Sequence, residues 1–199
     1  MDVATLITAV IVVFVLATAL LAWFVGREIR KTHEFFGMLA TRFEGKPTRL
    51  PFGVVFELEG VRVRIYALQG SIQYRAKVRL RRDPGILVTR TFRKLEFLDK
   101  LNYSGSREKL LFHAPVDQQY GFRAKDARWM REIFNADLLD SMTAMGRVTR
   151  IEITRRVVRG ALSMVNHSNQ EIEKAKQSIS ILNRVVMQVS RSTLALHQR

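Results

Sequence analysis

The chain has 199 residues, with 33 Lys and Arg against 18 Asp and Glu, and a formal net charge of +15 at pH 7. That length holds one membrane segment and one domain with its own hydrophobic core. The chain has no cysteine, which excludes disulfides, thiolate catalysis and Cys-based zinc sites and suits a reducing compartment, while the charge favours an anionic partner.

The first element is residues 3–25, VATLITAVIVVFVLATALLAWFV, without one charged side chain. As a helix it reaches about 34 Å, enough to cross a hydrocarbon core of about 30 Å. Trp23 and Phe24 fall where the lipid–water interface belongs. Ala17-Thr18-Ala19 has the small-x-small form of a signal-peptide cleavage site, but Met1 and Asp2 give no basic n-region, and the apolar run exceeds about 7–15 residues. A retained transmembrane helix is expected. Its small residues Ala9, Ala17, Ala19 and Ala22 permit close approach of a partner helix or a second copy. Arg27, Arg30 and Lys31 follow the span and no Lys or Arg precedes it, so the positive-inside rule expects the N-terminus outside and the domain in the cytoplasm. The excess of Arg over Lys points to a GC-rich bacterial genome, and the expected location of this single-span chain is the inner membrane.

Residues 27–43 predict a juxtamembrane helix, with Ile29, His33, Phe36, Ala40 and Phe43 recurring at steps of four and three. Phe36, Ala40 and Phe43 form an apolar stripe expected to contact a membrane-protein partner. Residues 44–51, with two prolines and a glycine, read as a linker.

A basic α+β domain is expected over 52–165. Period-two alternation predicts strands at 53–59, 61–67, 72–82 and 86–93, separated by Glu59-Gly60, Gln69-Gly70-Ser71 and Asp83-Pro84-Gly85. Read as a four-strand antiparallel meander, these strands put Arg62, Arg64, Arg75, Lys77, Arg79 and Arg81 together on the face away from the core. Packed like charges on adjacent strands repel. A solvated face that discourages aggregation, a contact for anionic membrane lipid, and a site for an acidic protein or nucleic acid are three competing accounts. The outward positions of strand 72–82 carry no aromatic platform for base stacking, with Tyr66 the one exception nearby, which argues against nucleic acid.

Residues 94–101 read as a short helix, and 109–113 and 119–124 as strands. Asp126 is placed to cap one helix and Asp137 a second, stopped by Gly146. Residues 148–154 and 156–164 read as a closing hairpin. A last helix over 168–192 opens on a Ser168–Glu171 capping box and carries Ile172, Ala175, Ile179, Leu182, Val186 and Val189 on one face. The seam suits packing on the domain's own sheet, with dimerisation as the alternative, because its flanks lack the opposed charges that set coiled-coil pairing.

The expected fold is therefore α+β: a single N-terminal transmembrane helix followed by an antiparallel β-meander domain with packed helices. Two short pieces, Gly60-Val61-Arg62-Val63 opening a strand and Asp117-x-x-Tyr120-x-Phe122 ahead of a helix, resemble those of uncharacterised bacterial proteins with an N-terminal span and a small cytoplasmic α+β domain. The resemblance covers roughly residues 36–165. It implies the anchor and the fold, and brings no activity with it.

Catalytic signatures are missing. None of the 11 glycines makes a phosphate-binding pattern, His33, His113, His167 and His197 are scattered, and no nucleophile elbow occurs. Asp137 and Glu171 sit where a helix dipole favours acid, and Asp117 reads as a turn or strand-start residue. No catalytic residue, metal site or cofactor is expected. The sequence reading is a non-enzymatic accessory or scaffold subunit of a membrane protein assembly, with a peripheral binder of anionic lipid or polyanions as the alternative and an enzyme of unknown type third.

Overall fold

A computed structural model describes residues 2–49, 51–68, 71–90, 108–145, 147–163 and 169–192. Its first element, α1, is one helix from Val3 to Arg42. The expected transmembrane and juxtamembrane helices are thus a single rod, about 60 Å long. Gly26 sits in open space, and one exposed glycine costs about 1 kcal/mol, too little to break a helix with good formers on both sides. The rod ends where the Gly45 N–H reaches the Ala40 carbonyl at 2.8 Å and Glu44 takes a positive φ of 51°, a left-handed cap. Gly45 is required by space: a Cβ there would stand 2.7 Å from Val54 Cγ2.

The chain then folds back as β1 (Lys46–Thr48), within the stretch expected to be linker. Pro47 is tolerated because β1 is an edge strand. β2 (Gly53–Leu58), β3 (Val61–Leu68) and β4 (Ser71–Lys77) follow as an antiparallel meander. Glu59 and Gly60 both have positive φ, the conformation a tight two-residue hairpin turn demands.

β5 (Ile86–Arg90) does not join β4 as the fourth strand of that meander. β4 is flanked instead by β9 (Val157–Ser163), then β8 (Val148–Ile153), then β5, β7 (Tyr120–Ala124) and β6 (Glu108–Leu110). The reason lies in β5 itself. Ile86, Leu87 and Val88 are all buried, so the strand is covered on both faces and belongs in the sheet's interior. Val78 and Leu80 still bond to the Arg156 and Arg155 carbonyls at the end of β9, and residues 81–85 then carry the chain across to β5.

One row of the nine-stranded sheet, Val54–Ile65–Tyr74–Gly160–Ile151–Val88–Phe122–Leu110, lines the inner face from β2 to β6. Helices α2 (Ala114–Gln119), α3 (Ala127–Ile133), α4 (Ala136–Met145) and α5 (Asn169–Arg191) complete the domain. Asp126 caps α3 as expected, accepting from the Arg128 N–H at 2.8 Å. The cap of α4 is Asn135, whose Oδ1 takes the Leu138 N–H at 3.0 Å, and Asp137 lies inside the first turn. The expected helix 94–101, the stop at Gly146 and Ser168 of the capping box lie outside the described residues.

α5 lies on the inner face. Ile172, Ala175, Ile179, Leu182, Val186 and Val189 are buried with Ile181 and Val185, so the seam is used within the domain and the coiled-coil alternative falls. Gly160 makes room for it, since a Cβ there would meet Leu182 Cδ1 at 2.6 Å. Beside it Tyr74 Oη donates to Asn183 Oδ1 at 2.8 Å, and burial pushes the phenol pKa well above its usual value.

Candidate interaction surface

The outer face of the sheet carries the charge. A row crosses it as Lys46–Val55–Arg64–Arg75–Arg159–Glu152–Leu87–Arg123. Three arginines therefore stand on consecutive strands, β3, β4 and β9, before the one carboxylate in the row. Glu152 is 4% exposed and lies 3.4 Å from Arg150 and 3.6 Å from Arg159. It relieves part of the repulsion that adjacent like charges impose.

Of the six basic residues expected here, Arg62, Arg75, Lys77, Arg79 and Arg81 are exposed. Arg64 is half-buried, with its guanidinium over the Tyr66 ring at 5.6 Å and its Nε without a hydrogen-bond partner among the described residues. Arg79 and Arg81 lie beyond β4, yet they keep its alternation because Val78 and Leu80 are buried. The ladder to β9 also continues there: Val78 N–H donates to the Arg156 carbonyl and Leu80 N–H to that of Arg155. This pairing brings exposed Arg155, Arg156 and Arg159 beside the predicted set. Sequence reasoning missed all three because nothing local in the hairpin 148–164 says that it pairs with β4.

The rod fixes where this surface stands relative to the span. His33 meets Phe52 edge-on at 6.5 Å and Phe43 stacks on Phe56 at 5.1 Å, so β2 runs alongside α1 with its C-terminal end farther from the apolar segment. In the register of the sheet, Phe56 is level with Val63, Ala76 and Val158. Arg79, Arg81, Arg155 and Arg156 lie farther out again. Leu68, 49% exposed, is at the opposite end, one residue past the Ala67–Phe52 hydrogen bond.

The stripe expected to meet a partner is placed otherwise. Phe36 and Ala40 are buried in the domain core with Phe35 and Leu39, and Phe43 packs against it. Ala17, Ala19 and Ala22 are exposed on the span, and the side chain of Ala9 lies outside the described set. Asp117 does structural duty: both carboxylate oxygens accept the Phe112 N–H, at 3.1 and 3.0 Å. His113 Nε2 is 3.6 Å from Asp140, but no group of three or more His, Asp or Glu gathers as for a metal among the described residues.

Fold and surface define the class: an α+β protein with one N-terminal apolar helix long enough to span a membrane, followed by an antiparallel sheet domain with packed helices. No family model and no curated protein matches the chain. Its fold is similar to that of the mycobacterial trehalose monomycolate transport factor A, TtfA, in its crystal structure. The TM-score is 0.57 at 9% identity, over 85% of this chain and 98% of that one.

Proposed function

We infer that the protein is a non-enzymatic accessory or scaffold subunit of a membrane protein assembly, anchored by a single span in the cytoplasmic membrane with its N-terminus outside and its domain inside. The observation that carries this reading is the rod. A 40-residue helix leaves the apolar segment and enters the domain core without a break, burying Phe35, Phe36, Leu39 and Ala40. A flexible tether would confine the domain to the membrane, whereas a rigid one also sets its height and rotation, which matters for positioning a partner and not for turnover of a diffusing substrate. Confinement raises effective concentration, so weak contacts suffice. The basic run Arg27, Arg30 and Lys31 supports the inward orientation. The likeness to a protein named as a transport factor supports an accessory role. Binding of anionic lipid by the basic face is the weaker reading, because that face rises away from the bilayer.

Photoreactive side chains at Ala17, Ala19 and Ala22 test the assembly in living cells. A discrete membrane-protein adduct at one of the three positions is expected. Adducts to lipid alone, together with a purified protein that runs as a lone monomer, overturn the accessory reading.

A further inference from the structure

We propose that the membrane-distal rim of the sheet, built from Lys77, Arg79, Arg81 and Arg82 on one side and Arg155 and Arg156 on the other, docks an acidic segment of a protein partner. The proposal gives the accessory role a partner chemistry and rests on that reading.

The rim is a concentrated and uncompensated charge. All six side chains are exposed, and none makes a hydrogen bond or ion pair through its side chain among the described residues. The backbone bonds from Val78 and Leu80 to Arg156 and Arg155 hold the two groups side by side. Nearby carboxylates are engaged elsewhere: Glu59 pairs with Arg191, Asp83 with Lys125 at 2.8 Å, and Asp126 caps α3. Glu57 is exposed on β2, two strands away from β4. Six cations whose own fold leaves them unpaired complement a run of carboxylates, with guanidinium forks offering two-point contacts.

With the rod upright, distance also separates the rim from the inner leaflet. Phe43 is 18 residues beyond Val25, about 27 Å along the helix axis. Phe56, Ala76 and Val158 share its level, and the rim lies beyond. A headgroup layer about 7 Å deep leaves the rim roughly 20 Å above the lipid surface, against a Debye length of about 8 Å. With the rod near the membrane normal, that gap exceeds two Debye lengths. Nucleic acid fits poorly as well, since no aromatic side chain stands among the six to stack a base.

The test uses the full chain in nanodiscs of zwitterionic lipid. The probes are a labelled Asp/Glu-rich peptide of about a dozen residues and a single-stranded oligonucleotide of equal charge. The peptide should bind, weaken steeply as ionic strength rises, and lose roughly tenfold or more in affinity when Arg79, Arg81, Arg155 and Arg156 are all changed to Glu. Changing the same four to Gln, which keeps exposed side chains of similar reach, should give a smaller loss, and both variants should keep the parent melting temperature within a few degrees. Arg49→Glu at the opposite end of the sheet should leave binding unchanged. The proposal is overturned if the peptide fails to bind, if binding ignores the four changes, or if the oligonucleotide binds more tightly. It is equally overturned if replacing the zwitterionic lipid with anionic lipid, without peptide, protects residues 77–82 and 155–156 from hydrogen exchange. Crosslinking on the span reports separately on the accessory role.

Discussion

Tyr74 is where sheet and last helix are tied together. Its ring is on the inner face of β4, 1% exposed, and its hydroxyl is satisfied by Asn183 of α5. Removing the hydroxyl leaves the Asn183 carbonyl oxygen buried without its donor, so Tyr74→Phe should cost about 1–3 kcal/mol in denaturant unfolding. The same residue makes a pH prediction whose sign is fixed by burial. Because the folded phenol pKa is raised, the folded state holds its proton where the unfolded chain, with tyrosine near pKa 10, has released it. The stability that this group contributes is fully present below pH 10 and is lost as pH climbs above it. Chemical denaturation across alkaline pH should show a shallower decline for Tyr74→Phe than for the parent. An equal slope would show that Tyr74 ionises freely in the fold.

Among the elements, α5 decides whether the chain uses its apolar seam internally. Ile179 is fully buried in that seam. Ile179→Ala should therefore lower stability by about 2–5 kcal/mol without shifting oligomeric state in detergent. A loss of dimer in place of a loss of stability would return the seam to an intermolecular role. The seam, the hairpins β2–β3–β4 and β8–β9, and the caps at Asp126 were legible because each is written in local spacing: period two for a half-covered sheet, steps of three and four for a one-sided helix. The place of β5 was not. Its consecutive Ile86-Leu87-Val88 signals burial on both faces, but which strands provide the neighbours is a long-range matter that no local period encodes. The same limit hid Arg155, Arg156 and Arg159 from the basic set. Phe36 and Ala40 show the converse error, since an apolar helical stripe looks alike whether it faces a partner or the chain's own core.

For the molecule as a whole, the continuous rod turns a topology into a set of heights above the bilayer. The apolar run ends at Val25, and His33, which meets Phe52, is about 12 Å farther along the axis. Leu68, one residue past the level of Phe52 on the antiparallel β3, descends to about 9 Å, close to the headgroups. Arg81 stands at the far rim, beyond the level of Phe43. The chain has no cysteine, so a single cysteine introduced at either exposed position takes one spin label without background. In liposomes carrying a nickel-chelating lipid in the leaflet facing the domain, a label at Leu68→Cys should relax strongly. A label at Arg81→Cys should relax weakly, because dipolar relaxation falls steeply over the roughly 30 Å of strand from Ser71, opposite Leu68, to Leu80. In intact cells both cysteines should resist impermeant thiol reagents if Arg27, Arg30 and Lys31 hold the domain inside. Equal relaxation at the two sites would mean that the domain lies over on the membrane, bringing the basic rim within reach of lipid and removing the geometric argument for a protein partner. Labelling from outside would reverse the orientation while leaving the rod intact.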